Sequence, residues 1–318
     1  MIYEIWKMKH RWLSISIFKQ IPGIIILFFK IYLLMVIFFS FFRLLLFISE
    51  IRYVKEYISI SDILSGFIMG IRFDIVISSY ILLLPYIVFS VFSVWKDEIG
   101  YFVKKAIAYY IITLTTLAFI VCAADIPYFN QFFSRFSVMA FEWIDNPIFV
   151  SKMIIQEPKY WWVIIPLLLI VWLFIRFINK NIRDYSENNS NRYIKVVLYV
   201  VGLGLILLGI RGRIEEKSPI RVGTAYFCNN AFLNQLGLNP NFTLINSYID
   251  SRKTANESVK FMSDSLAIKK IQDFYDTSTK NLLFPTERNV IGSIDSIKRH
   301  NVVVIIMESM SAQNMKRN

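Results

Sequence analysis

Of the 318 residues, 56% are hydrophobic and 16% aromatic, including 28 Phe, 17 Tyr and 7 Trp, which excludes an ordinary water-solvated domain. The net charge of +12 does not point to nucleic acid, because the basic residues are not gathered on one polar module. Residues 1–210 hold 20 Lys and Arg against 13 Asp and Glu, and residues 211–318 hold 15 against 10, so the excess is spread between apolar segments, as suits a chain among anionic lipids. The two cysteines, Cys122 in an apolar run and Cys228 in a polar one, read as unrelated thiols.

Five stretches are long and apolar enough to cross a bilayer core, which takes about 20 residues. Ile24 to Ile48 contains Lys30 and Arg43, far enough apart for each to snorkel toward its own interface. Ile75 to Trp95 is uncharged and carries Pro85, which a membrane helix tolerates as a kink. Ala106 to Ala124 is also uncharged. Tyr160 to Ile178 opens on Tyr160-Trp161-Trp162, an interfacial aromatic belt. Tyr193 to Ile210 is the least apolar, with Lys195 near its start and Gly202, Gly204 and Gly209 inside it, small residues that permit close helix packing.

The loops predict an orientation. With the N-terminus inside, the inner segments carry 12 basic residues, among them Lys96, Lys104, Lys105, Arg176, Lys180, Arg183 and Arg192; the outer loops carry six, Arg52, Lys55, Arg72, Arg135, Lys152 and Lys159. The positive-inside rule favours this arrangement, which puts everything after Arg211 outside. The first apolar run is too long for a signal peptide and lacks an Ala-x-Ala-like site, so it reads as a retained anchor.

Residues 211–300 read as a polar connector. Thr254-Ala255-Asn256-Glu257 fits a capping box, and Phe261, Ile268, Ile271, Phe274 and Tyr275 follow near one helical face. The resulting amphipathic helix either packs on its own protein or lies on the membrane. Beyond it, a polar run to His300 leads into Val302-Val303-Val304-Ile305-Ile306-Met307, which reads as a strand buried on both faces of a parallel sheet. Glu308, Ser309 and Ser311 follow at once. Sites in open α/β sheets gather beyond the carboxyl ends of strands, and a hard divalent cation takes anionic oxygen ligands.

This pattern, an Asn-Val-hydrophobic strand ending in Glu-Ser-x-Ser after a membrane region and a long linker, resembles the start of the extracytoplasmic domain of the lipoteichoic acid synthase family, within the alkaline phosphatase and sulfatase superfamily. The resemblance implies a polytopic α-helical membrane domain of five transmembrane helices (1–210), an extracytoplasmic linker with an amphipathic helix (211–300), and the first β-strand of an α/β sulfatase-like catalytic domain (301–318). It implies a multi-pass protein of the bacterial cytoplasmic membrane that works on an anionic phospholipid. It further implies Glu308 as ligand of a catalytic divalent ion (Mn, Mg or Zn), and transfer of a phosphoglycerol- or phosphoethanolamine-type group, or sulfatase-like hydrolysis, through a covalent intermediate on a Thr. That nucleophile and the remaining ligands are expected beyond Asn318, the catalytic domain being cut short, so residues 1–318 alone are expected to be inactive; Ser309 and Ser311 read as turn and helix-cap residues.

Other candidates read more plainly. Arg72 and Asp74, in Gly70-Ile71-Arg72-Phe73-Asp74, read as solvated edge residues at the start of the second span, with a packing or site-facing role as the alternative. Arg211 and Arg213 either end the fifth helix or meet a lipid phosphate. His10 and His300 are the only histidines, and there is no Gly-rich phosphate loop, Cys-x-x-Cys or Ser-His-Asp set. The alternative function is a non-enzymatic polytopic scaffold or transporter-like protein. The expected absence of acids from the span cores argues against an ion pathway.

Overall fold

The structure, a computed structural model, describes residues 21–54, 58–95, 99–141, 148, 152, 156, 158–183, 185, 192–253, 261–277, 284, 286, 287 and 303. Five helices in it are long and apolar enough to cross a membrane: α1 (Gly23–Ser49), α2 (Ile60–Trp95), α3 (Tyr101–Phe132), α4 (Trp161–Arg183) and α5 (Arg192–Arg211). They correspond one to one with the five apolar stretches, which makes this a multi-pass membrane protein by length and composition.

Three of the helices outrun their predicted bounds, α4 by the five residues to Arg183 and α2 and α3 by more. α2 starts fifteen residues before Ile75, and α3 extends to Phe132 instead of stopping at Ala124. At 1.5 Å per residue they are about 54 Å and 48 Å long, well beyond the roughly 30 Å hydrocarbon core. Their extra turns are the more polar ones, and the apolar windows that marked the spans were too narrow to include them. Pro85, Pro127 and Pro166 all lie within helices.

α1 packs on α2, α2 on α5, and α3 on α4, with α1 also against α3. Large side chains fill the middle. Phe119 on α3 meets Phe39 and Phe42 of α1 and Phe174 of α4, while Phe28 of α1 meets Tyr86 and Phe89 of α2 edge-on, a favoured aromatic geometry. α5 approaches α2 closely where its glycines lie. A Cβ on Gly202 would fall 2.0 Å from the Tyr86 hydroxyl, which instead donates to the Tyr199 carbonyl at 3.1 Å. This is the close approach that small residues permit between membrane helices.

The connector contains more structure than its polarity predicts. The compact unit holding the five helices runs on to Asn256, past the boundary read at 210, because residues 222–251 fold back onto the bundle. A short 3-10 turn (Val222–Ala225), α6 (Ala231–Leu236) and α7 (Pro240–Ser251) lay Phe232, Leu233, Leu236 and Leu238 into the end of the bundle, each at most 2% exposed. Asn230 caps α6 by accepting from the Leu233 amide at 2.9 Å, and Asn239 caps α7 by accepting from the Asn241 amide at 2.9 Å. Both are preferred N-cap residues, and Pro240 occupies the first position of α7, which suits proline.

The second unit spans Glu257–Asn318. The amphipathic helix is present as α8 (Asp264–Tyr275), with Ser263 at its N-cap position; the expected capping box at 254–257 lies outside the described residues. None of its residues is buried, and Phe261 and Phe274 are almost fully exposed. No strand occurs among the described residues. Of the expected strand Val302–Met307 only Val303 is described, 81% exposed and in no regular element; Glu308, Ser309 and Ser311 lie outside the described residues.

Candidate functional site

The bundle has two ends of different character. At one end lie the C-termini of α1, α3 and α5, the N-termini of α2 and α4, and the lid formed by α6 and α7. The N-termini of α1, α3 and α5 and the C-termini of α2 and α4 lie at the other. Among the described residues the lidded end contains the densest polar chemistry, and it is buried.

Arg43 and Asp74 are central to it. Arg43, six residues before the end of α1, does not snorkel to an interface as its position in the apolar run predicts. It crosses to α2 and forms a two-pronged pair with Asp74, Nη1 to Oδ2 at 2.6 Å and Nη2 to Oδ1 at 2.8 Å, with Arg43 3% and Asp74 0% exposed. Asp74 is therefore a buried ion-pair partner and not a solvated edge residue. Gly70, one turn before Asp74, provides the path: a Cβ there would lie 2.1 Å from the Arg43 Nε. The same Nε donates to the Leu236 carbonyl of α6 at 3.0 Å. From the lid side, Asn239 Nδ2 donates to Asp74 Oδ1 at 2.8 Å. The amide of Asn241 continues the chain of bonds to the Ala118 carbonyl (3.1 Å) and Cys122 Sγ (3.3 Å) of α3.

A second pair lies beside it. α3 ends at Phe133, whose left-handed backbone (φ 52°) turns the chain back on itself. The Phe136 amide then donates to Asp125 Oδ1 at 2.7 Å and Arg135 Nη1 approaches Asp125 Oδ2 at 3.1 Å. Left-handed backbone at a bulky residue costs about 1–2 kcal/mol, offset here by the bonds that the reversal makes. Arg135 Nη2 donates to the Leu238 carbonyl at 2.8 Å. Burial lowers the pKa of the Arg135 guanidinium from its ordinary value, and the neighbouring Asp125 carboxylate opposes that shift.

Two arginines from different parts of the bundle thus bind the Leu236 and Leu238 carbonyls on either side of Gly237, where α6 ends. Glu50, at the end of α1 and also fully buried, accepts from Asn130 Nδ2 at 2.8 Å, Ser49 Oγ at 3.0 Å and Arg52 Nη2 at 3.2 Å. The void left among Phe42, Arg43, Cys122, Asp125, Arg135 and Asn239 is about 10 Å³, room for at most one water. What this arrangement can do is hold: among the described residues each carboxylate has fixed partners, and the void between the two ion pairs has no room for a substrate.

Arg72 and the basic residues after α5 are structural too. Arg72 donates to the Gly212 carbonyl at 3.3 Å. Arg211 donates to the Glu215 and Lys217 carbonyls, and Arg213 to the Thr224 hydroxyl at 2.8 Å, so this pair terminates and anchors the fifth helix. Cys122 and Cys228 are free thiols. No group of three His, Cys, Asp or Glu able to hold a metal ion occurs among the described residues, and Glu308 lies outside them. The chain matches no family model, no curated protein and no solved structure.

The buried network escapes sequence reading because each charge taken alone has an ordinary explanation. Arg43 looks like a snorkelling residue and Asp74 like the edge of a span, and their separation of 31 positions conceals the pairing. One signal was present. Four asparagines (Asn230, Asn234, Asn239 and Asn241) alternate with Phe232, Leu233, Leu236 and Leu238 in the supposed connector, an apolar set that has to be buried somewhere.

Proposed function

We propose that these residues form the membrane anchor and outer platform of a lipoteichoic acid synthase-type enzyme, with the N-terminus in the cytoplasm and the lidded end outside. The observation that carries this reading is the odd number of crossings combined with the lid. Five spans carry the chain from one side to the other, and the segment leading toward Glu308 leaves directly from the lid. The charge asymmetry of the loops supports the orientation, since Lys104, Lys105, Lys180, Arg183 and Arg192 all belong to the unlidded end. Hydrogen bonds from Arg43 and Arg135 to the lid, and from Asn239 and Asn241 to α2 and α3, make the lid a rigid part of the membrane unit.

The reaction belongs to that domain: transfer of a phosphoglycerol- or phosphoethanolamine-type group from an anionic phospholipid, with Glu308 among the ligands of a divalent Mn, Mg or Zn ion. A single carboxylate does not hold such an ion, so Glu308 would be one ligand among several. The transporter-like alternative has one point in its favour, an ion pair, Arg43–Asp74, buried between membrane helices. The near absence of free volume around the buried charges counts against it.

Orientation is tested by cysteine accessibility in a cysteine-free background. Lys217→Cys should react with an impermeant maleimide on intact cells and Asn188→Cys should not; the opposite pattern would overturn the topology. The enzymatic half is tested by Glu308→Gln in a chain carrying a complete catalytic domain. Metal content and turnover should both fall while expression and membrane insertion persist. Retention of both would reduce Glu308 to a structural residue.

A further inference from the structure

Where α5 ends, a cavity of about 540 Å³ lies between α2, α5 and the turn that follows α5, within the ~300–1,000 Å³ usual for ligand pockets. Arg72, Arg213 and Glu215 line it, beside the apolar Ile75, Leu205 and Leu208. We propose that it holds a phospholipid of the adjoining leaflet. The two arginines take the phosphate, Glu215 accepts from the headgroup's terminal hydroxyl or ammonium, and an acyl chain lies on the apolar wall.

The turn that carries Arg213 and Glu215 is firmly built. Gly212 has a left-handed backbone (φ 71°), the usual way to end a helix, and a Cβ there would fall 2.6 Å from Ile220 Cγ2. The Ile220 amide closes the turn on the Arg211 carbonyl at 3.1 Å, and Arg211 Nη2 donates to the Glu215 and Lys217 carbonyls. Arg72 reaches the same turn from α2 by its bond to the Gly212 carbonyl.

Both lining arginines are only half-buried, and their donors are largely unused. A guanidinium has five N–H donors. Among the described residues Arg72 makes one hydrogen bond, at 3.3 Å, and Arg213 one, to the Thr224 hydroxyl at 2.8 Å. Arg213 Nε is buried without a partner, which is unusual for such a donor, and phosphate oxygens match the guanidinium fork. Two arginines against one glutamate on the same cavity leave a single positive charge, which suits a singly charged phosphodiester. Depth separates a lipid from a free anion. α5 has 20 residues, about 30 Å of helix and so about the thickness of the hydrocarbon core, which puts Arg213 and Glu215, just past its end, at headgroup level. Leu205 is 64% exposed on the surface of that span, a wall that an acyl chain can use and a soluble anion cannot. The inference does not depend on the enzymatic reading; under the orientation proposed above, the leaflet is the outer one.

The test uses the complete chain, purified in detergent and delipidated, with native mass spectrometry as readout. The probes are phosphatidylglycerol, phosphatidylethanolamine and diacylglycerol. At least one of the two phospholipids should bind saturably, the tighter one identifying the terminus as hydroxyl or ammonium, and diacylglycerol, which lacks the phosphate, should not. The Arg72→Ala/Arg213→Ala double variant should bind about 30-fold more weakly, for the loss of two basic residues near the surface. Lys269→Ala/Lys270→Ala, at exposed positions of α8, should leave binding unchanged. Equal binding by the arginine variant and wild type, or diacylglycerol retained as well as the phospholipids, would overturn the proposal. Full displacement of the phospholipids by inorganic phosphate would also overturn it, showing a soluble-anion site. Should the arginine variant fail to fold, Leu205→Trp decides: it keeps both arginines and should obstruct the acyl wall, and undiminished binding would contradict the assignment.

Discussion

The two ends of this helix bundle use the same residue types in opposite ways. At the lidded end, cations are buried and every one that matters faces an acid: Arg43 faces Asp74, and Arg135 faces Asp125. At the open end, Lys104 and Lys105 lie outside the core, Lys104 Nζ donating to the Tyr185 carbonyl at 2.7 Å and Lys105 Nζ lying over the Tyr101 and Tyr109 rings. The lesson concerns desolvation. A charge removed from both water and headgroups needs a partner supplied by the protein, so it becomes a fastener. A charge left near the surface can be satisfied by a backbone carbonyl and aromatic faces, and needs no carboxylate.

Breaking the lidded end should produce the largest effects. Asp74→Ala strands a buried guanidinium and releases Asn239 as well, so the loss should be about 3–5 kcal/mol, read as a lowered unfolding midpoint in detergent. Replacing both partners, Arg43→Leu with Asp74→Leu, should recover much of that loss, because well-packed apolar pairs often substitute for buried ion pairs. A double variant as unstable as the single one would mean that the pair is not the source of the effect. Gly70→Ala sharpens the comparison without removing a charge. Its Cβ would fall onto the Arg43 Nε, and overpacking of this kind costs about 1–3 kcal/mol. In an Arg43→Leu background the same substitution should cost far less, and an undiminished cost would locate the clash elsewhere. The open end should respond least. Lys104→Ala removes one bond to the Tyr185 carbonyl, worth about 0.5–1.5 kcal/mol, and thermal unfolding should register only that.

The number of spans was legible in the sequence because uninterrupted apolar runs leave little choice in a bilayer; α1 and α5 fall within a residue of their predicted bounds. The lengths of α2 and α3 were not, since their outer turns are stabilised by a lid that is distant in sequence. Arg43, Asp74, Asp125 and Arg135 were misread or passed over for the same reason. Charge pairing between helices is a long-range property that no local window contains, and the expectation that the span cores lack acids failed on Asp74 and Asp125 once the helices proved longer. The C-terminal reading rests on Val302 to Glu308 and on the family resemblance, and that segment lies outside the described residues apart from Val303.

The central claim is that residues 231–243 are an integral lid of the membrane unit, held by Arg43, Asp74 and Arg135. Hydrogen–deuterium exchange of the protein in lipid nanodiscs tests it most directly. In the wild type the amides from Leu233 to Leu244 should exchange slowly, as those of the span helices do, while those of α8 (Asp264–Tyr275), none of whose residues is buried, should exchange quickly; Asp74→Ala should release the lid and leave the spans protected. Wild-type exchange at Leu233–Leu244 as fast as in α8 would contradict the lid and the ion pairs that define it.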